Sequence, residues 1–279
     1  MSFNFPLILL VLTVFTGVIV LVDGCFLLWR RRHLGVEASK RSNLPPIIDY
    51  ARAFFPILLI VFLIRSFAVQ PFRVPTGSLS PTILPGDMIV VTQYNYGFHM
   101  PVWNSLIKAV GHPKRGQIAL FNYPVNPAVQ FVKRVVGVPG DHISYINKVF
   151  YINGKECQQT FLSNAVDYAG NGRSWPVKVY QENLDGIVHK IYRNPERPAV
   201  DFYNLIVPKG HYLMVGDNRD NSDDSRTWGF VPESAFFGQA QFIWMSWNSH
   251  ADWLHKIRWN RIGDTLDQTL NDKLAKASQ

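Results

Sequence analysis

The feature that most constrains this chain is an uncharged apolar run near its N-terminus. Residues Phe5–Val22 carry no charge, and Asp23 is the only ionisable residue between Phe3 and Trp29. A bilayer-spanning helix needs about 20 apolar residues. No Lys or Arg precedes the run and no small-x-small cleavage pattern follows it, which disfavours a cleaved signal peptide. The run therefore predicts a first transmembrane helix within residues 1–29; a buried helical hairpin in a soluble core is the alternative.

A second apolar segment covers residues 53–69 and contains a single cation. Apolar residues run from Ala53 to Ile64, and Arg65 follows them. The segment reaches the length of a span only if the Arg65 side chain extends to the membrane interface. Pro56 is tolerated if it lies in the first turn of the helix. The segment predicts a second transmembrane helix, with a helix lying in the interface as the alternative.

Between these segments, residues 30–52 form a basic loop. The loop holds six Lys or Arg residues against two acidic ones, which is half of the net charge of +8. Because basic loops stay in the cytoplasm, the N-terminus and everything after about Ser66 are predicted to lie outside it. A nucleic-acid-binding protein would spread its charge over a folded face. The charge pattern thus favours the lipid bilayer as a partner and no nucleic acid.

After residue 69 the pattern changes to short runs rich in Val, Ile, Tyr and Phe, separated by Gly, Pro and Asn, which is typical of strands. The predicted strands are Met88–Gln93, Gln117–Tyr123, Val129–Val138, His142–Ile146, Val149–Ile152, His189–Tyr192 and Tyr212–Val215. The fold class is therefore mostly β: two N-terminal transmembrane helices, then an exported β-sheet domain with an inserted second β-rich lobe. The predicted boundaries are 70–146 for the first part of the core, 147–208 for the lobe, and 209–279 for the second part of the core and the C-terminal tail.

Two segments have a composition suited to nucleophilic chemistry. Pro75–Asp87 is rich in hydroxyl residues, Gly and Pro, and such a rigid turn can present a serine beside free backbone N–H groups. The apolar strand Val129–Gly140 carries Lys133 next to Arg134. Because neighbouring strand side chains point to opposite faces, one of the two faces a buried side, and burial favours neutral lysine, which can accept a proton. An ordinary helix–strand loop and a lysine that reaches solvent are the alternatives.

A third segment, Gly216–Arg226, follows an apolar strand and holds four Asp and two Arg residues. It lacks the Asp-x-Asp-x-Asp-Gly spacing and the acidic last ligand of a calcium loop, so no metal is predicted. A turn stabilised by ion pairs is the structural alternative to a functional role.

In their order and spacing, the three segments resemble those of the bacterial type I signal peptidases (leader peptidases), a family of serine peptidases with a Ser-Lys dyad. The resemblance is carried by Thr76-Gly-Ser78-Leu with Pro81-Thr, by Val132-Lys133-Arg134 with Gly137-x-Pro-Gly-Asp141, and by Gly216–Arg226. It runs from near the N-terminus to about Gly263. The chain departs from the family at Leu79, where Met is usual; we expect retained activity and a shifted preference at the cleaved position.

The resemblance implies a role for each matching residue. Ser78 is the implied nucleophile and Lys133 the general base. Ser222 orients the lysine amine, and the Ser78 N–H and the Thr76 hydroxyl form the oxyanion hole. The implied supporting ion-pair network consists of Arg134, Asp217, Asp224 and Arg226. The candidate walls of the substrate pocket are Phe72, Val74, Leu79, Ile83, Phe131 and Val132.

The implied function is a membrane-bound endopeptidase that removes N-terminal signal peptides from exported preproteins after small-x-small sites, by acyl transfer and without a metal or organic cofactor. Its partners are signal-peptide-bearing preproteins and the lipid bilayer, and the oligomeric state is not indicated. The resemblance places the chain in the inner membrane with its catalytic domain on the periplasmic side. A non-catalytic membrane-tethered β module and a self-cleaving Ser-Lys protein are the alternatives.

Overall fold

The computed structural model describes residues 5–34, 45–100, 106–168, 173–249 and 251–266. The chain divides into two compact units, one with the N-terminal helices and one that contains residues 70–98 and the chain from residue 106 onward. Residues 35–44 of the predicted basic loop and 267–279 of the predicted tail lie outside the described residues.

The N-terminal unit contains two helices, α1 (Phe5–Leu34) and α2 (Pro46–Leu63), and α2 continues as a π-helical turn over Ile64–Ala68. Each is long and apolar enough to cross a membrane, over Pro6–Arg30 and Pro46–Ala68. Both helices extend beyond the predicted segments. Helix α2 begins early because a proline at the first helical position loses no intrahelical hydrogen bond.

Consequently Pro56 lies inside α2 and not in its first turn, which corrects the prediction. The acidic residue in α1 is paired within the same unit: Asp23 is buried and accepts a 2.5 Å hydrogen bond from Arg52 Nη2. The helices approach closely at Gly17, where a Cβ would lie 2.8 Å from Cε2 of Phe55. Because an unpaired buried carboxylate is costly, Arg52 explains how α1 accommodates an acidic side chain.

The second unit is built mainly from strands. In chain order they are β1 (Val69–Arg73), β2 (Asp87–Thr92), β3 (Gly97–His99), β4 (Leu106–Ala109), β5 (Ile118–Tyr123), β6 (Asn126–Gly137), β7 (His142–Ile146), β8 (Val149–Ile152), β9 (Lys155–Glu156), β10 (Gln159–Tyr168), β11 (Ser174–Leu184), β12 (Ile187–Arg193), β13 (Phe202–Ile206), β14 (His211–Val215), β15 (Val231–Pro232) and β16 (Phe236–Ser246). A short helix, α3 (Ser225–Trp228), lies between β14 and β15. The fold is therefore mostly β, as predicted.

The largest sheet has the strand order β1-β2-β16-β5-β6-β14-β15. Strand β16 pairs antiparallel with β2 and β5, and β6 pairs antiparallel with β5 and β14. The register between β14 and β6 places Val215 opposite Arg134. The chain that leaves β14 therefore starts beside the middle of β6, which brings the third polar segment to the second.

The other described sheets are β13-β7-β8-β9, β10-β11-β12 and the pair β3-β4. The predicted core–lobe boundary at residue 147 separates β7 from β8, although these strands pair antiparallel. They belong together because Ile143 and Phe150 share one buried hydrophobic cluster. The polar segment after residue 147 thus supplies strands to two sheets.

The seven strands predicted from short apolar runs correspond to β2, β5, β6, β7, β8, β12 and β14. The turn between β8 and β9 has positive φ at both Asn153 (52°) and Gly154 (80°). This is the backbone that a two-residue Asn-Gly hairpin requires.

Candidate active site

The turn between β1 and β2 carries Thr76 and Ser78. Thr76 is exposed and Ser78 half-buried, with their hydroxyl oxygens 3.5 Å apart. The turn is held in place by packing, because Leu79 and Ile83 are almost fully buried in the hydrophobic cluster that includes Val74. The packing of these apolar residues fixes the backbone that presents the Ser78 hydroxyl.

The backbone around Ser78 is also held by hydrogen bonds from Gly216–Arg226. The Gly77 carbonyl accepts from Ser80 N–H (3.0 Å) and from Asn218 Nδ2 (3.0 Å). The Ser78 carbonyl accepts from Asn218 N–H (3.1 Å). Among the described residues, the Ser78 N–H donates to no acceptor. A free backbone N–H beside a serine hydroxyl is the arrangement that an oxyanion site needs.

Lys133 lies on β6 and is 4% exposed. Its Nζ donates a 3.0 Å hydrogen bond to Ser222 Oγ and lies 5.7 Å from the centre of the Phe131 ring. Burial lowers the pKa of Lys133 to about 8, against the opposing charges of Asp224 and Asp223. With this pKa about a tenth of the amine is neutral at pH 7, far more than for an exposed lysine, which suits a general base.

Arg134, the neighbour of Lys133, is also buried, so both side chains and not only one face the interior. Its Nε and Nη2 donate to Asp217 Oδ1 (2.7 Å) and Oδ2 (2.6 Å), and its Nη1 donates to the Gly116 carbonyl (2.6 Å). Burial alone would raise the pKa of Asp217, but the charge and hydrogen bonds of Arg134, together with the His189 charge and the Thr82 hydrogen bond, hold the pKa below its usual value. Arg134 and Asp217 are thus a buried, bidentate ion pair.

Asp224 and Arg226 form a second pair. Arg226 donates to Asp224 through Nε and Nη2, both at 2.8 Å, and Asp224 Oδ2 accepts from the Gly216 N–H at 3.0 Å. Burial opposes ionisation of Asp224, yet Arg226 holds the pKa of that carboxyl below its usual range. The four charged residues therefore form two pairs that brace the loop after β14.

Gly216 lies at the closest approach between this loop and the Ser78 turn. A Cβ there would lie 2.3 Å from both Ser222 Oγ and the Ser78 carbonyl oxygen. Only a residue without a side chain lets the two segments meet at this distance.

Ser78 and Lys133 line one cleft of about 800 Å³ together with Thr76. Four of the predicted pocket walls line this cleft as well: Phe72, Val74, Phe131 and Val132. Leu79 and Ile83 do not; they lie in the hydrophobic cluster that contains Val74 and Val132.

Residues 47–247 match the family described as signal peptidase, peptidase S26. The chain belongs to this family. It is 38% identical over 271 residues to the signal peptidase I of Pseudomonas fluorescens, covering 88% of this chain and 94% of that relative. It is 35% identical to the Pseudomonas aeruginosa signal peptidase I over 271 residues, with 88% and 94% covered. Against the Haemophilus influenzae signal peptidase I it is 29% identical over 317 residues, covering 93% and 91%.

The family inferred from the three polar segments is thus confirmed. As a signal peptidase, the chain is a serine peptidase and a hydrolase of a family that removes signal peptides. The family is membrane-associated, and the two apolar helices are compatible with an inner-membrane location.

Residues that sequence reasoning did not single out join the signal peptidase site to the β10-β11-β12 sheet. Arg219, buried, pairs with Glu182 of β11 through Nη1 (2.7 Å) and Nη2. His189 Nε2 lies 3.4 Å from Glu182 Oε2 and 3.8 Å from Asp217 Oδ1. Burial lowers the pKa of His189. The sequence contains one sign of this buried ion pair: Glu182 is an acidic residue at a position of β11 that faces the interior.

Proposed function

We propose that this chain cleaves signal peptides from exported preproteins after small-x-small sites, with Ser78 as the nucleophile and neutral Lys133 as the general base. The observation that carries the proposal is the buried Lys133 amine, held 3.0 Å from Ser222 Oγ in a cleft that also contains Ser78. A pKa of about 8 leaves part of this amine unprotonated at neutral pH.

The reaction is an acyl transfer in two stages. Lys133 takes the proton of the Ser78 hydroxyl as Ser78 Oγ attacks the scissile carbonyl carbon. The oxyanion receives hydrogen bonds from the Ser78 N–H and the Thr76 hydroxyl. As the C–N bond breaks, the Lys133 ammonium gives its proton to the leaving amine. Lys133 then takes a proton from a water molecule as the water oxygen attacks the acyl-serine carbonyl carbon, and the Lys133 ammonium returns that proton to Ser78 Oγ as the ester C–O bond breaks.

In this mechanism Ser222 acts on the lysine. Because Ser222 Oγ accepts one N–H of Lys133 Nζ, it limits the directions in which the lone pair of the neutral amine can point. The ion pairs Arg134–Asp217 and Arg226–Asp224 support the loop that carries Ser222.

The substrate is proposed to bind as an extended strand against β1, the edge of the seven-stranded sheet, and against the first half of β6. Phe72, Val74, Phe131 and Val132 would give this part of the cleft apolar walls, which suits small side chains before the cleaved bond. Leu79 and Ile83 would act on specificity only through their packing against Val74 and Val132.

The orientation in the membrane is proposed from charge. With the basic segment that joins α1 and α2 in the cytoplasm, α1 and the Pro46–Ala68 segment would each cross the inner membrane and the catalytic domain would be periplasmic. Residues 147–208 are proposed to be an insertion in that domain. Protease added to spheroplasts should degrade the β-rich unit; complete protection would contradict the orientation.

Cleavage of a preprotein with an Ala-x-Ala site, by detergent-solubilised protein, tests the activity. Ser78→Ala and Lys133→Ala should each abolish cleavage, whereas the exposed Ser163→Ala and Lys155→Ala should not. Cleavage that survives Ser78→Ala would remove the nucleophile assignment. No cleavage of any preprotein by folded wild type would favour a non-catalytic module, and cleavage of its own chain alone would favour a self-cleaving protein.

A further inference from the structure

Asn218 holds the peptide groups on both sides of Ser78. Its backbone N–H donates to the Ser78 carbonyl at 3.1 Å, and its side-chain Nδ2 donates to the Gly77 carbonyl at 3.0 Å. Asn218 is 1% exposed. Buried polar groups need their hydrogen bonds satisfied, so these contacts fix both the loop and the nucleophile turn.

The orientation of the Asn218 amide is set by a second acceptor. Nδ2 also donates to Asp167 Oδ2 at 2.7 Å, and Asp167 is 5% exposed on β10. The two hydrogens of Nδ2 are therefore both used. The flipped amide would bring its oxygen against a carbonyl and a carboxylate, two groups that only accept. Asp167 thereby decides which atom of Asn218 faces Gly77.

The Asn218 contact to Gly77 acts together with the Ser80 N–H, which donates to the same carbonyl at 3.0 Å, to set the direction of the Ser78 N–H. The Gly77–Ser78 peptide is trans, and in a planar trans peptide the C=O and N–H groups point in opposite directions. With the Gly77 carbonyl turned to Asn218, the Ser78 N–H is turned away from it. Rotation of this one peptide plane would remove the N–H from the oxyanion position while leaving the Ser78 hydroxyl in the cleft.

The geometry points to Asn218 as the positioning residue of the oxyanion hole, with Asp167 as the group that orients its amide. This inference rests on the proposed role of the Ser78 N–H. Loss of a whole oxyanion donor lowers kcat by about 10²–10³. Asn218→Ala leaves the donor present but removes one of the two hydrogen bonds that hold the Gly77 carbonyl; the bond from the Ser80 N–H remains. The variant should lower kcat by about 10- to 100-fold with KM within about twofold.

A transition-state analogue separates positioning from folding. A peptide aldehyde forms a tetrahedral adduct with the serine, whereas an uncleavable peptide binds only as a ground state. Asn218→Ala should weaken the aldehyde by the same factor as kcat/KM and leave the uncleavable peptide unchanged. Equal weakening of both ligands, or an unchanged kcat in folded protein, would overturn the inference.

A reciprocal exchange gives the second variant. Asn218→Asp with Asp167→Asn restores an amide–carboxylate pair between the two residues but supplies no donor to Gly77. The thermal midpoint should recover relative to Asn218→Asp alone, while kcat should stay low. Full recovery of kcat in the double variant would show that Asn218 and Asp167 contribute only to stability and do not position the Ser78 N–H. If Asn218→Ala does not fold, Asp167→Ala replaces it, because Asp167 lies on β10 and outside the loop. The kcat of Asp167→Ala should fall with unchanged KM. An unchanged kcat in this variant would overturn the inference.

Ser78→Ala distinguishes this inference from the proposed function. If Ser78→Ala still cleaves, the proposed function fails and the oxyanion assignment with it. If Ser78→Ala is inactive and Asn218→Ala retains full kcat, only the positioning role fails.

Discussion

Lys133 Nζ donates a 3.0 Å hydrogen bond to Ser222 Oγ, although 88 residues separate the two in the chain. The antiparallel register between β6 and β14 makes this contact, because it places Val215 opposite Arg134. The loop that leaves β14 therefore passes over Lys133. Burial changes the pKa of the Lys133 amine and the hydrogen bond fixes its position, so each effect can be tested by a separate measurement.

The first prediction concerns pH. Because the proposed mechanism needs neutral Lys133 and the pKa of this amine is lowered to about 8, activity should be lost as pH falls through that value and be complete above it. We expect kcat/KM at pH 7 and pH 6 to be about 10% and about 1% of the plateau. A profile that is flat from pH 5 to 9 would contradict the lysine base. Lys133→Arg should be inactive throughout, because a guanidinium keeps its proton.

Ser222→Ala should lower kcat more than it lowers stability. The variant loses the acceptor of the Lys133 hydrogen bond, so the amine is free to turn away from Ser78. A misplacement of this kind costs about 100-fold in rate, while a lost hydrogen bond costs only about 1 kcal/mol of stability. Steady-state kinetics and thermal unfolding measure the two effects. Ser163→Ala, at an exposed site, is the matched control, and wild-type kcat in Ser222→Ala would remove Ser222 from the mechanism.

Gly216→Ala tests the close approach of the two catalytic segments. Its Cβ would lie 2.3 Å from the Ser78 carbonyl oxygen and from Ser222 Oγ, whereas a Cβ at Gly24 has no neighbour within 4 Å. The new methyl group must displace one or both segments, and we expect kcat to fall by at least about 100-fold. Gly24→Ala should match wild type. Equal activity of the two variants would show that the Ser78 turn tolerates displacement.

Glu182→Gln should destabilise the β-rich unit. Arg219 and Glu182 are both almost fully buried, so the change leaves an uncompensated guanidinium inside the protein. Removal of one partner from such a pair costs about 3–5 kcal/mol. Denaturant unfolding of the solubilised enzyme gives the free energy, with the exposed Glu196→Gln as control, expected within about 0.5 kcal/mol of wild type. If Glu182→Gln also lowers the free energy of unfolding by less than about 0.5 kcal/mol, the Arg219–Glu182 pair does not contribute to stability.

Strands bounded by strong turn residues were predictable from the sequence. The β8–β9 hairpin is the clearest case, since Asn153 and Gly154 take the positive φ values that their residue types favour. Strand β16 was not predicted, because Gly and Gln break its apolar run. Its pairing with β2 has shifts of register between Ala240 and Phe242 and between Ile243 and Met245, and such irregular alternation has no simple period.

For the candidate site, the sequence predicted residues in short polar segments and missed residues that reach the cleft from other sheets. Ser78 and Lys133 were predicted, and they line one cleft. Asp167 and Glu182 come from β10 and β11. The inward-facing position of an acidic residue marks Glu182 as unusual, but it does not identify the loop after β14 as its partner. Leu79 shows the same limit, because only packing reveals that it lies in the hydrophobic cluster and not on the cleft.

Strand β16 has a place in the sheet that does not follow its place in the chain. It lies between β2 and β5, so the half of the sheet that contains β1 and β2 and the half that carries Lys133 are joined through β16, which is the last of the described strands to be translated. Ser78 and Lys133 are thus synthesised before the strand that joins their two halves of the sheet. Pairing between such distant segments is slow, and a newly made molecule becomes a peptidase only when translation of β16 is finished and that strand has inserted.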